Sequence, residues 1–118
     1  MMYSLLLVNL ISPFVMILVG FLLKKHPVKD MDSHNGYNTP ASRKSQERWD
    51  YAQSIAPDNF ISLGKTLGII EIILLAGVLL LPISPYAGMI AGSIVGMVFF
   101  FLGFYKTDTE IEKRFTNR

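Results

Sequence analysis

The chain of 118 residues has no cysteine, which excludes disulfides, thiolate nucleophiles and Cys-based zinc sites. Histidine is nearly absent too. His26 and His34 lie in one short stretch, and no nucleophile–base pattern, phosphate loop or metal-ligand spacing accompanies them. Catalysis therefore has no footing, and the reading is of a non-enzyme without a cofactor. Charge is missing from long stretches: residues 3–23, 82–85 and 86–105 carry none. Direct nucleic-acid binding and a large soluble core are both unsupported.

What the chain has is hydrocarbon. Half of it, 51%, is hydrophobic, and the mean hydropathy of +0.39 is high for a small protein. The length allows one domain, 1–118. Residues 3–23 would span about 30 Å as a helix, enough to cross a bilayer. No basic region precedes this run and Lys24-Lys25 follow it, so it reads as a retained membrane helix and not a signal peptide. Pro13 should kink it, with Asn9 or Ser12 serving the freed backbone groups. Asn9 reads as glue between helices.

A second apolar segment runs over 60–81. Lys65 can snorkel to the interface. Glu71, about 9 Å further along the axis, is an acid at membrane depth and hence a functional candidate. Its blander reading is a residue near the interface, bonded to the polar loop or to Lys65. After a tight turn, the third segment covers 86–105, with Tyr86 and Tyr105 as interface anchors. Gly88, Gly92 and Gly96 repeat GxxxG and make a face for close helix approach, within the monomer or in a homo-oligomer. Phe99, Phe100, Phe101 and Phe104 are too bulky for that face and read as lipid-facing or bundle-filling. The tail, 106–118, reads as a short frayed helix whose Glu110 and Glu112 could dock on the basic connection.

The polar connection, 24–59, holds the remaining information. His26, Asp30, Asp32 and His34 read as a solvated loop in preference to a metal site. Asn35-Gly36 marks a turn. Thr39-Pro40 offers a helix cap and first position, with Ser42 as a second cap, leading a short amphipathic helix that runs unbroken to Ile55. Ser45, Trp49, Ala52 and Ala56 share its apolar stripe, while Arg43, Glu47, Asp50 and Ser54 face away. Two placements stay open and are compatible: a helix at the membrane surface, with the Trp49 and Tyr51 rings at headgroup level and its cations among the phosphates, or a small helix packed on the ends of the membrane helices.

All Lys and Arg residues fall in 24–65 or 106–118. The positive-inside rule then predicts an N-terminus outside, with the motif loop and C-terminus in the cytoplasm. The fold class expected is all-α: three transmembrane helices plus the short amphipathic helix between the first two.

The run Gly36, Tyr37, Thr39, Pro40, Ser42, Lys44, Glu47, Trp49 and Ala52 resembles the signature of the SdpI family of bacterial membrane proteins, roughly GYRTPxSMKxxExWxxAN. Asn38, Arg43 and Gln53 stand where that pattern has arginine, methionine and asparagine. The resemblance, which extends over about two thirds of the chain, implies an inner-membrane immunity protein acting against a secreted peptide toxin. It also implies a receptor that holds an ArsR-type repressor at the membrane. The toxin would be met around Asn9, Glu71 and the glycine face. The residues alone also admit an adaptor whose motif helix docks a cytosolic partner, or a small transporter component using Glu71.

Overall fold

The computed structural model describes residues 2–33 and 35–116. It is an all-helical bundle, without a strand among the described residues, measuring 52 × 29 × 17 Å. Three long helices make it up: α1 (Met2–Lys25), α2 (Gln46–Leu80) and α3 (Pro85–Thr116). All three are long and apolar enough to cross a membrane.

Helix α2 corrects one expectation. The amphipathic segment is no separate helix but the first turns of a single rod of 35 residues. Pro57 does not interrupt it, since proline withholds only one N–H while its neighbours continue the ladder. The start is also later than expected. Ser45 is the cap, extended at φ −159° and accepting the Arg48 N–H at 3.1 Å. Thr39 and Ser42 instead close a turn over 40–43: Ser42 Oγ accepts the Thr39 N–H and donates to the Thr39 carbonyl, both at 2.9 Å. Pro40 is exposed in that turn and begins no helix. The tail differs likewise. Helix α3 continues through it to Thr116 because packing, and not propensity alone, holds the last turns. Its start is capped by Ser84, whose Oγ accepts the Tyr86 N–H at 3.2 Å.

The helices pack through small residues. A methyl on Gly20 would come within 2.8 Å of Ile61 and of the Pro57 carbonyl, one on Gly64 within 2.7 Å of Ile17, and one on Gly68 within 3.7 Å of Pro13. These pairs run in opposite directions along the two helices, so α1 and α2 are antiparallel. Gly88 meets Leu5 and Val78, Gly92 meets Asn9 and Glu71, and Gly96 meets Ser12. The glycine stripe of α3 is therefore filled from within the monomer, by α1 and α2 together. Outward lie apolar side chains such as Ile69, Ile73, Ile90 and Phe101, each more than half exposed, as lipid contact requires.

Candidate functional site

Two polar clusters lie at different depths on this frame. The first is at the polar end, where the connection and the two long helices meet. Gly36 takes φ +77°, a conformation that side chains rarely adopt, and its Cα has Gln53 Oε1 and Val28 against it. The turn delivers Tyr37 into the bundle, 3% exposed, with its ring against Phe104 and Phe60. Tyr37 Oη donates to Asp108 Oδ1 at 2.7 Å, and Thr39 Oγ1 donates to the same oxygen at 2.8 Å. Burial first, then the hydrogen bond and charge of Asp108, push the Tyr37 phenol well above its ordinary range. Gln53 pairs with the Tyr37 backbone both ways, accepting its N–H at 2.9 Å and donating to its carbonyl at 2.7 Å.

Trp49 settles the placement of the motif helix. It is fully buried, and its Nε1 donates to the Val28 carbonyl at 2.9 Å. The packed placement is the one seen, with the indole holding the incoming loop. Ala52 and Ala56 are buried beside it, while Glu47, Asp50 and Ser54 are exposed, as the stripe predicts. Tyr51 is half-buried against Phe115, with the Arg114 guanidinium over its ring. Lys44 reaches Glu112 at 3.6 Å, and Arg48 reaches it at 2.6 Å. The tail thus docks on the connection through Glu112; Glu110 accepts from Asn59 Nδ2 at 3.3 Å instead of meeting a cation. Asn59 also donates to Thr107 Oγ1 at 3.0 Å.

Asn38 and Arg43, both departures from the family pattern, meet each other. Arg43 Nη1 donates to the Met31 carbonyl at 2.9 Å and lies 3.4 Å from Asn38 Oδ1. A guanidinium is therefore present beside position 38, supplied by position 43. Of the four possible metal ligands in the loop, His34 lies outside the described residues. Among the described residues no group of three or more such ligands comes together.

The second cluster lies at membrane depth. Asn9 and Glu71 are both completely buried, facing each other across Gly92. Asn9 Nδ2 donates to the Gly88 carbonyl at 3.1 Å, so it ties α1 to α3 and does not serve the groups freed by Pro13. Glu71 is bonded neither to the polar loop nor to Lys65, which is exposed. Glu71 is instead enclosed where all three helices converge, because only glycines at 92 and 96 leave room for it. Beside this cluster, α1 and α3 part to form an apolar furrow. One recess of about 390 Å³ includes Ser12, Met16, Gly96 and Phe100. A second, of about 350 Å³, shares Met16 and Phe100 and reaches Tyr37 and Asn38.

Three helices long and apolar enough to cross a bilayer, with exposed aliphatic surfaces, define a multi-pass α-helical membrane protein. The chain belongs to the SdpI/YfhL protein family, whose profile matches residues 29–105. That span includes the loop, the whole of α2 and the apolar part of α3. A search of curated proteins found no match, and neither did a search of solved structures.

Asp108, Asn59 and Thr107 are the residues that sequence reasoning missed, and Gln53 entered it only as a departure from the family pattern. The available signal was helical spacing: Phe104, Thr107, Asp108 and Ile111 share one face, which only matters once α3 is known to continue past Tyr105.

Proposed function

We propose that this protein is an immunity protein of the bacterial inner membrane, protecting its cell against a secreted peptide toxin that attacks the membrane. Its family membership supports the class. The carrying observation is mechanical. Glu71 and Trp49 belong to one unbroken helix, and Gly92 and Asp108 to another. Peptide bound at membrane depth beside Asn9 and Glu71 would shift α2 and α3, and the clamp around Tyr37 would feel the shift. Rigid, packed elements of this kind can carry coupling between distant sites.

In this reading the clamp faces the cytoplasm, by the concentration of Lys and Arg at that end. It could then hold an ArsR-type repressor when toxin is present. The test is survival of a sensitive bacterium expressing the protein and challenged with peptide toxin from the same source. Protection above the empty vector is the expected result. Its absence at good membrane expression would remove the immunity reading.

A second reading is a membrane adaptor. The observation in its favour is a cleft of about 400 Å³ at the polar end, lined by Pro27, Val28, Lys29, Gln46, Asp50, Gln53 and Ser54. Capture of a defined cytosolic partner that is lost in Asp50→Arg, in cells never exposed to toxin, would favour it.

A further inference from the structure

Among the described residues, three buried side-chain atoms lack a hydrogen-bond partner: Asn9 Oδ1, Glu71 Oε1 and Glu71 Oε2. All three are acceptors when Glu71 is ionised. The Asn9 amide cannot be turned to help. Its Nδ2 already donates to the Gly88 carbonyl, and reversing it would set two oxygens against each other. What the cluster is short of is a donor.

No cation supplies one. Between Tyr3 and Lys24 helix α1 carries no ionisable side chain, and between Tyr86 and Tyr105 helix α3 carries none. On α2 the nearest charge is Lys65, exposed and about 9 Å away along the axis. Space is equally short. A methyl on Gly92 would overlap Asn9 Nδ2 and lie 2.7 Å from Glu71 Oε1, and one on Gly96 would lie 2.8 Å from Ser12 Oγ and 3.8 Å from Glu71 Oε2. A proton needs no such room; a hydrated ion does. An unpaired carboxylate inside a membrane bundle is also the costliest of the alternatives.

We propose that Glu71 and Asn9 form a proton-binding site at membrane depth. One carboxyl oxygen of Glu71 takes a proton from water, the charge is removed, and the new O–H is the donor that Asn9 Oδ1 lacks. The bond holds α1 to α2, as Asn9 Nδ2 already holds α1 to α3. Release returns the proton to water and leaves a charge that loosens α1 from the other two helices. The furrow between α1 and α3 approaches the site at Ser12 and Gly96. This inference is independent of the immunity reading.

Infrared spectroscopy of the protein in lipid nanodiscs, with glutamate labelled at its side-chain carboxyl carbon, tests it. At neutral pH we expect an isotope-shifted protonated-carboxyl band that is absent in Glu71→Gln. In Asn9→Leu the band should move to higher frequency as its hydrogen bond is lost, and alkali should abolish it in the wild type. Only carboxylate bands at neutral pH would overturn the proposal. So would a protonated band that persists in Glu71→Gln, or a carboxylate band that responds to sodium and not to pH. Should Glu71→Gln fail to insert, the labelled wild type decides by itself through the presence or absence of the protonated band.

Discussion

The two polar clusters of this bundle are built from similar residues and end in opposite states. At the polar end, Tyr37, Thr39, Ser42, Trp49 and Gln53 all have partners within 2.7–2.9 Å. At membrane depth, both oxygens of Glu71 and one of Asn9 have none. A satisfied polar network makes a unique, rigid joint; an incomplete one is unstable unless something completes it. The family motif is thus the joint, and the chemistry that can change state lies in the membrane. Residues that carry the recognisable signature need not be the ones that respond.

Removing the keystone of the joint should have the largest effect. Trp49→Ala deletes a fully buried indole and its bond to Val28, and should cost about 3–5 kcal/mol in denaturant or thermal unfolding in detergent. A loss under about 1 kcal/mol would mean that the motif helix is not packed as described.

Next in size is Gly92→Leu, which drives a side chain into Asn9 and Glu71. Overpacking of this kind costs about 1–3 kcal/mol. Crosslinking between cysteines introduced at Leu5 and Gly88 should fall with it, because α1 must move away from α3.

Asp108→Ala leaves the Tyr37 and Thr39 hydroxyls without their shared acceptor, for about 1–3 kcal/mol. The same pair predicts an alkaline limit. The Tyr37 phenol is raised in the folded state, so its contribution to stability is complete below about pH 10 and declines as the pH rises above the unfolded value. Tyr37→Phe should flatten that decline, as read from unfolding midpoints between pH 9 and 11.

The smallest effect belongs to Lys24→Ala. The Lys24–Asp58 pair is 2.8 Å long, but both side chains are more than 60% exposed, and exposed pairs are worth about 0–1 kcal/mol. Double-mutant cycles with Asp58→Ala should return a coupling in that range, well below the value for Tyr37 with Asp108.

Much of the fold was legible because uncharged runs and small-residue spacing report directly on lipid and on helix contact. Ser45, Trp49, Ala52 and Ala56 formed the stripe whose last three members are buried. Asn9 and Glu71 stood out as residue types unusual at membrane depth, and the glycines by their spacing. Their convergence was not legible, since it depends on the rotation of three helices about their axes, which no single segment encodes. The continuity of α2 was hidden by Pro57 and by a polar-to-apolar change of composition that resembles a boundary. Asp108 escaped because a charged tail looks solvated until the helix beneath it is seen to continue.

Glu71 and Gly92 of the membrane cluster lie on the same two unbroken helices as Trp49 and Asp108 of the clamp, and coupling between the two sites follows from that continuity. Hydrogen–deuterium exchange over residues 36–45, in nanodisc-held protein with and without a bound peptide toxin, tests it most directly. Binding at membrane depth should change the exchange of these loop amides, and Gly92→Leu should change it without peptide. Demonstrated peptide binding with unchanged exchange across the loop would contradict it.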